Sequence, residues 1–312
     1  MLHDADAAFA ERLSSALPGL SIRPAEPGYL EEPRGLTTGR DSFVARPTST
    51  GQVAEIVRFC SDANVGIIPY GGGTGLVSGQ VSSSGPVPLI VSLEKMTAIR
   101  AVYPSEDAIV AETGATITDI QNAADDADRL FPLTYASKDT ARLGGALAVN
   151  SGGLNVLRYG MTRNLCLGIE AVLPNGEILH GLKRLRKDNT GYDLRHLMIG
   201  SEGTLGIITA AAMTLAPKPA HVATAFLAVP GPAAALDLLT LFKDHAGETV
   251  SAFELISHRG FQFLSESGID ARHPFSDVPE WSVLAEIGTG RGAEPEDLML
   301  SIFQEAFETV SY

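Results

Sequence analysis

The chain has 312 residues, 45% of them hydrophobic and 19% charged, a composition that suits a globular protein with a large core and two domains. Its formal net charge of −14 argues against non-specific binding to nucleic acid or to an anionic membrane. The two cysteines, Cys60 and Cys166, lie far apart without CxxC spacing, so a reducing compartment is expected and the cytoplasm is the assigned location. Residues 1–20 carry early acids and no uninterrupted apolar run, so no signal peptide is expected. The apolar stretches near 207–217 and 225–242 are broken by Thr, Pro or Asp and do not read as membrane spans.

Residues 4–17 carry Ala8, Phe9, Leu13 and Leu17 at helical spacing, and Pro18-Gly19 stops that helix. Residues 18–48 are rich in proline and glycine and read as an extended lead-in, ordered only by packing on something else. Ser49 or Thr50 can cap a helix whose apolar face is Val53, Ile56, Val57 and Cys60, and Asn64 ends it. The apolar run Val65-Gly66-Ile67-Ile68 then feeds Pro69-Tyr70-Gly71-Gly72-Gly73-Thr74-Gly75-Leu76-Val77-Ser78-Gly79-Gln80. Glycine has no Cβ and permits positive φ, so successive N–H groups of such a loop can converge on one anion. Taken alone, the stretch is equally a mobile surface loop.

Leu89–Val91, Ala101–Tyr103 and Ala108–Ala111 are strand candidates, and Thr116 can cap a helix reaching about Arg129. A second glycine-dense block spans 142–160, and strands at 168–173 and 177–180 flank Pro174-Asn175-Gly176, which predicts a type I′ hairpin. A third block runs from Gly200 to Gly206. After Pro217-Lys218-Pro219 the texture changes. Strands at 222–229, 250–256 and 282–287 alternate with helices at 232–245, 258–267 and 295–309, which predicts helices covering a sheet.

Several chemistries have no support. No Gly-x-x-x-x-Gly-Lys-[Ser/Thr] is present, and Ser78 stands where the third glycine of a Rossmann fingerprint would fall. His3, His180, His196, His221, His245, His258 and His273 show no metal-binding spacing and read as surface or core residues. Gly-Ser-Glu-Gly at 200–203 is not a nucleophile elbow. What remains is three glycine-dense blocks, which suggest backbone wrapping a long ligand at several points. A dinucleotide with a planar ring fits that demand. Lys183, Arg184, Arg186 and Lys187 form one basic cluster, which is either a solvated loop or a contact for phosphate, an anionic substrate or a protein.

Five motifs occur in order: Pro-x-Gly-Gly-x-Thr-Gly-Leu-x-x-Gly at 69–79, Gly-Gly-x-x-x-x-Asn-x-Gly-Gly at 144–153, Arg158-Tyr159-Gly160, the run 186–194, and Gly-Ser-Glu-Gly-Thr-Leu-Gly-Ile-Ile-Thr at 200–209. Together they resemble the FAD-binding domain of the PCMH/VAO-type flavoproteins, in their D-2-hydroxyacid dehydrogenase branch. The resemblance is dense over residues 25–220 and loose beyond. It implies an α+β fold: a lead-in at 1–34, a PCMH-type FAD-binding domain of two α/β subdomains at 35–217, and an incomplete α/β substrate (cap) domain at 218–312. Pro69, Gly71, Gly72, Gly73, Thr74 and Gly75 are implied to form the diphosphate loop, with Gly79 closing it. Pro132, Gly144, Gly145, Asn150, Gly152, Gly153, Tyr159 and Gly160 are implied along the flavin and ribityl chain. Glu202, Gly203, Gly206 and Ile207 are implied on the other side. Tight packing of strand ends is the plainer account of any single glycine.

The implied reaction is oxidation of a D-2-hydroxyacid, D-2-hydroxyglutarate or D-lactate, to the 2-oxoacid by hydride transfer to flavin N5. A glycolate oxidase-like or alkyl-glycerone-phosphate synthase-like enzyme is the alternative, as is a flavin-binding fragment without turnover. Thr74, with no His or Cys nearby, predicts non-covalent FAD. The resemblance further implies an electron-transfer flavoprotein, quinone or cytochrome as acceptor. For the full-length protein a divalent metal such as zinc and a homodimer are options. The branch's histidine-rich metal motif and substrate arginine do not occur by residue 312. A truncated chain is therefore expected, with catalytic residues beyond Tyr312 and none assigned here.

Overall fold

The computed structural model describes residues 1–269 and 274–309; His273 lies outside them. The chain divides into two compact units, residues 1–151 with 161–217, and residues 152–160 with 218–312.

The first unit starts with α1 (Ala7–Ala16), where the Asp6 carboxylate caps the helix by accepting from the Phe9 N–H at 2.8 Å. The proline-rich lead-in is more regular than expected. It forms β1 (Ser21–Pro24), α2 (Pro27–Leu30) and β2 (Phe43–Arg46), with β1 and β2 paired antiparallel. Pro24 hides this strand in the sequence, yet it ends an edge strand, where a missing N–H is tolerated. Helix α3 (Thr50–Ala63) is capped by Ser49 and ends at Asn64 in the left-handed region, φ 53°. Strands β3 (Ile67–Tyr70) and β4 (Leu89–Ser92) complete a sheet ordered β1-β2-β4-β3, with β2, β4 and β3 parallel. The glycine loop leaves the carboxyl end of β3.

A second sheet is antiparallel throughout. It takes β5 (Ile99–Tyr103), β6 (Ala108–Glu112), β8 (Cys166–Val172), β9 (Ile178–Gly181) and β10 (Ile207–Thr214), ordered β5-β6-β10-β8-β9. Strand β10 is central and buried on both faces, which is why it reads as a near-continuous apolar run interrupted by the buried Thr209. Helix α4 (Ile117–Asp126) opens with a capping box between Thr116 and Asp119. The short β7 (Arg129–Leu130) pairs with β11 (Ala216–Pro217). Helices α5 (Leu143–Ala148), α7 (Thr162–Leu165) and α8 (Leu194–Met198) complete the unit. Phe9, Leu13, Ile56, Val57, Cys60, Leu89, Val172 and Ile207 share one core. The hairpin between β8 and β9 forms, but its turn is not type I′. Gly176 carries the positive φ of 77°, and the Gly176 N–H closes on the Leu173 carbonyl at 2.8 Å. Pro174 fixes its own φ near −65°, which forbids the I′ conformation and gives a turn closed by a left-handed glycine instead.

The second unit contains α6 (Val156–Tyr159), β12 (His221–Val229), α9 (Pro232–Ala246), β13 (Val250–Ser257), α10 (His258–Glu266), β14 (Trp281–Thr289) and α11 (Pro295–Thr309). Its sheet is antiparallel and ordered β12-β14-β13. Helices α9 and α11 bury Phe242, Met299 and Ile302 against Val283, Ala285 and Ile287. The α+β class, with two sheet-based subdomains in the first unit, is the expected one.

Candidate functional site

The first and third glycine blocks, and residues 142–150 of the second, come together in the first unit. The loop after β3 lies against the start of α5: a Cβ on Gly71 would stand 3.4 Å from the Gly145 nitrogen, and one on Gly72 would overlap the Thr140 carbonyl oxygen at 2.1 Å. The same loop meets the third block. A Cβ on Gly203 would come within 2.8 Å of Pro69 Cγ, and one on Gly79 would lie 3.4 Å from the Glu202 carboxylate. The second and third blocks are tied directly, since the N–H groups of Gly200 and Glu202 donate to the carbonyls of Leu147 and Ala148, each at 3.0 Å. Gly73, Asn150, Glu202 and Gly203 all have positive φ, so the close approach rests on bends that glycine and a few polar residues tolerate.

Residues 69–80 carry no charged side chain. Among the described residues, no backbone N–H from Gly71 to Val77 has a protein acceptor. The loop is only half-buried at Gly71–Thr74, so these donors are accessible to a ligand. Gly145, by contrast with Gly71 and Gly72, faces open space, with no heavy atom within 4 Å of where its Cβ would be. Around this cradle Tyr70 sends its hydroxyl to the Gly28 carbonyl at 2.7 Å, and a Cβ on Gly73 would strike that hydroxyl. Burial, with the nearby charges of Tyr29 and Glu94, raises the Tyr70 pKa, while the Arg142 charge opposes this.

The remaining expected residues have distinct surroundings. Pro132 is buried just after β7. Gly144 packs on Thr113, whose Cβ would be 3.0 Å from an added methyl. Asn150 accepts from the Arg163 N–H at 2.9 Å. Gly206 runs against the Val172 carbonyl, and Ile207 is a core residue of β10, so close packing of strand ends accounts for both. Gly152, Gly153, Tyr159 and Gly160 belong to the second unit. There Arg158 donates to the Gly288 carbonyl at 2.7 Å and its guanidinium lies 5.0 Å from the Tyr159 ring centre.

The sequence reading gave no role to Tyr135, Arg142 or Arg34. Burial raises the Tyr135 pKa, with Ser151 opposing this, and Ser151 Oγ lies 3.1 Å from Thr162 Oγ1. Burial of a tyrosine beside a glycine block leaves no sequence pattern. Three residues of the basic run are paired: Lys183 with Asp188 at 2.8 Å, Arg184 with Glu106 at 2.8 Å and Arg186 with Asp107 at 4.0 Å. Among the described residues no group of three His, Cys, Asp or Glu side chains could hold a metal ion, and no helix is long and apolar enough to cross a membrane.

Residues 42–181 match the family model described as an FAD binding domain. Those residues thus carry an FAD binding domain. It is 36% identical over 292 residues to bovine mitochondrial D-2-hydroxyglutarate dehydrogenase, covering 92% of this chain and 52% of that protein. It is 34% identical over 267 residues to D-2-hydroxyglutarate–pyruvate transhydrogenase of Saccharomyces cerevisiae, covering 85% of this chain and 53% of that one. For D-2-hydroxyglutarate dehydrogenase of Xanthomonas citri the identity is 32% over 301 residues, 95% of this chain and 61% of the relative. The chain thus spans about half the length of the curated relatives it matches. Solved structures share the fold: alkyldihydroxyacetonephosphate synthase superposes with a TM-score of 0.79 at 18% identity, covering 98% of this chain and 60% of that one. Physcomitrella patens BBE-like 1 gives 0.68 at 16%, covering 97% and 60%.

The cradle fits FAD. A diphosphate needs N–H donors more than side-chain charge, and residues 71–77 offer N–H groups without protein acceptors. No protein atom fills the space beside Gly145.

Proposed function

We propose that residues 69–79, 144–150 and 200–206 hold FAD by its diphosphate, and that the chain acts as an FAD-dependent D-2-hydroxyacid dehydrogenase. The observation that carries the site is the meeting of Gly71 with Gly145, and of Pro69 with Gly203, around N–H groups without protein acceptors. The substrate class rests on the relatives, whose names carry D-2-hydroxyglutarate at 36% and 34% identity. Bound FAD supplies the electron acceptor for oxidising a secondary alcohol to a ketone. The chain's own residues bind and orient. The N–H groups of residues 71–77 take the phosphate oxygens. Glu202, beside Gly79, accepts from ligand hydroxyls, since its carboxylate would repel phosphate. The loop carries Thr74 and neither His nor Cys, so it holds FAD without a covalent bond.

Anaerobic mixing of the FAD-loaded chain with D-2-hydroxyglutarate, D-lactate and their L enantiomers tests the activity. Bleaching of flavin absorbance by a D isomer alone is the expected result. A loaded chain that no D-2-hydroxyacid bleaches contradicts the activity and leaves a flavin holder without turnover.

A further inference from the structure

A glycine loop has carbonyls as well as N–H groups, and its carbonyls repel an anion. Most loops of this composition can flip peptides freely, because glycine permits both signs of φ. In this chain three loop carbonyls are tied. Gln80 Nε2 donates to the Gly75 carbonyl at 2.8 Å and to the Gly73 carbonyl at 3.3 Å. The Arg34 guanidinium donates to the Leu76 carbonyl. In a planar trans peptide the C=O of one residue and the N–H of the next point in opposite directions. Holding the carbonyls of Gly73, Gly75 and Leu76 against these donors therefore turns the N–H groups of Thr74, Leu76 and Val77 away from them.

One donor has room made for it and the other is held. Gly75 leaves room for the Gln80 amide, since a Cβ there would stand 3.2 Å from Gln80 Oε1. Arg34 is held by Glu32, whose side chain is 0% exposed and which accepts from Arg34 Nε at 2.8 Å, Arg34 N at 3.1 Å and Leu36 N at 3.2 Å. A buried carboxylate is tolerated only when paired and hydrogen-bonded, and the bond from Arg34 keeps Glu32 below the usual carboxylate range. The turn it organises touches the loop once more, where Ser78 Oγ donates to Thr37 Oγ1 at 3.0 Å.

We propose that Arg34 and Gln80 are positioning residues of the diphosphate cradle: they tie back the carbonyls of Gly73, Gly75 and Leu76 so that the intervening N–H groups face the phosphates. Glu32 acts one step further out, by holding Arg34. This rests on the reading of the loop as a diphosphate site.

The test is titration of the full chain with FAD and with riboflavin, which carries the ring system without phosphates, together with the melting temperature of the unliganded protein. Gln80→Met keeps the shape and removes the donor. It is expected to weaken FAD about tenfold, with riboflavin affinity and melting temperature unchanged. Arg34→Met is expected to act in the same direction, and Arg34→Lys to restore part of the loss. Arg34→Met also strands Glu32, so Gln80→Met decides if the arginine variant fails to fold. Variants that bind FAD as tightly as wild type overturn the inference alone. A loss shared equally by FAD and riboflavin, with a fall in melting temperature, overturns it as a merely structural effect. A wild-type chain that binds no FAD overturns the cradle reading and this inference together.

Discussion

Gly71 and Gly145 lie backbone to backbone: a Cβ on Gly71 would stand 3.4 Å from the Gly145 nitrogen and 3.5 Å from its Cα, although 74 positions separate them in the chain. This contact joins two loops that the sequence shows only as separate glycine clusters. It also separates two kinds of glycine. Gly72 is small because protein is there, whereas a methyl on Gly71 would make ordinary contact. Gly145 is small where no protein atom fills the space.

Gly72 should not tolerate alanine. Its Cβ would overlap the backbone oxygen of Thr140 at 2.1 Å, and a backbone atom cannot move aside as a side chain can. Gly72→Ala is expected to cost about 1–3 kcal/mol, read as a lower urea midpoint with unchanged slope. A midpoint equal to wild type would show that the loop does not approach residues 140–141.

The glycine blocks are legible because close backbone approach demands glycine, and that demand survives in sequence as composition. Helix α5 is not legible. Gly144 and Gly145 each lower helix propensity by about 1 kcal/mol relative to alanine, so local preference argues against it. Its start is held instead by tertiary bonds, Leu143 N–H to the Ala115 carbonyl at 3.0 Å and Gly144 N–H to the Thr113 carbonyl at 2.8 Å. Strand β1 is hidden by Pro24 for a similar reason. The role of Arg34 is illegible because a bond made across 42 positions leaves no periodicity. Helix α3 is the opposite case: its cap, apolar stripe and left-handed Asn64 are all local, and all are visible in the sequence.

Acid should loosen the first unit through Glu170. Burial pushes its carboxyl up from 4.5, but hydrogen bonds from Thr50 and Arg100, with the Arg100 charge, outweigh this and leave it lowered. A carboxylate with a depressed folded pKa contributes stability that is full above the unfolded value and is lost as pH falls through the folded one. Stability is therefore expected to drop as pH goes below about 4.5, and Glu170→Gln to flatten that part of the dependence. Urea midpoints of the two proteins at about pH 6 and about pH 4 check it. Parallel pH slopes would remove Glu170 from the account.

FAD should leave with denaturation. Burial pushes the thiols of Cys60 and Cys166 up to about 12, so neither is a thiolate nucleophile at neutral pH. Acid precipitation of the loaded chain should release all the flavin colour to the supernatant. Colour retained in the washed pellet would show a covalent link and sink this expectation.

The most direct test of the cradle is Gly145→Ala. In the unliganded protein the added methyl meets no heavy atom within 4 Å, and alanine is the better helix former. The melting temperature is expected to equal or exceed that of wild type, a gain of up to about 1 kcal/mol. The FAD dissociation constant is expected to rise about tenfold or more, because the methyl then occupies ligand space. A Gly145→Ala protein that melts like wild type and binds FAD as tightly would contradict the claim that these glycines surround the cofactor.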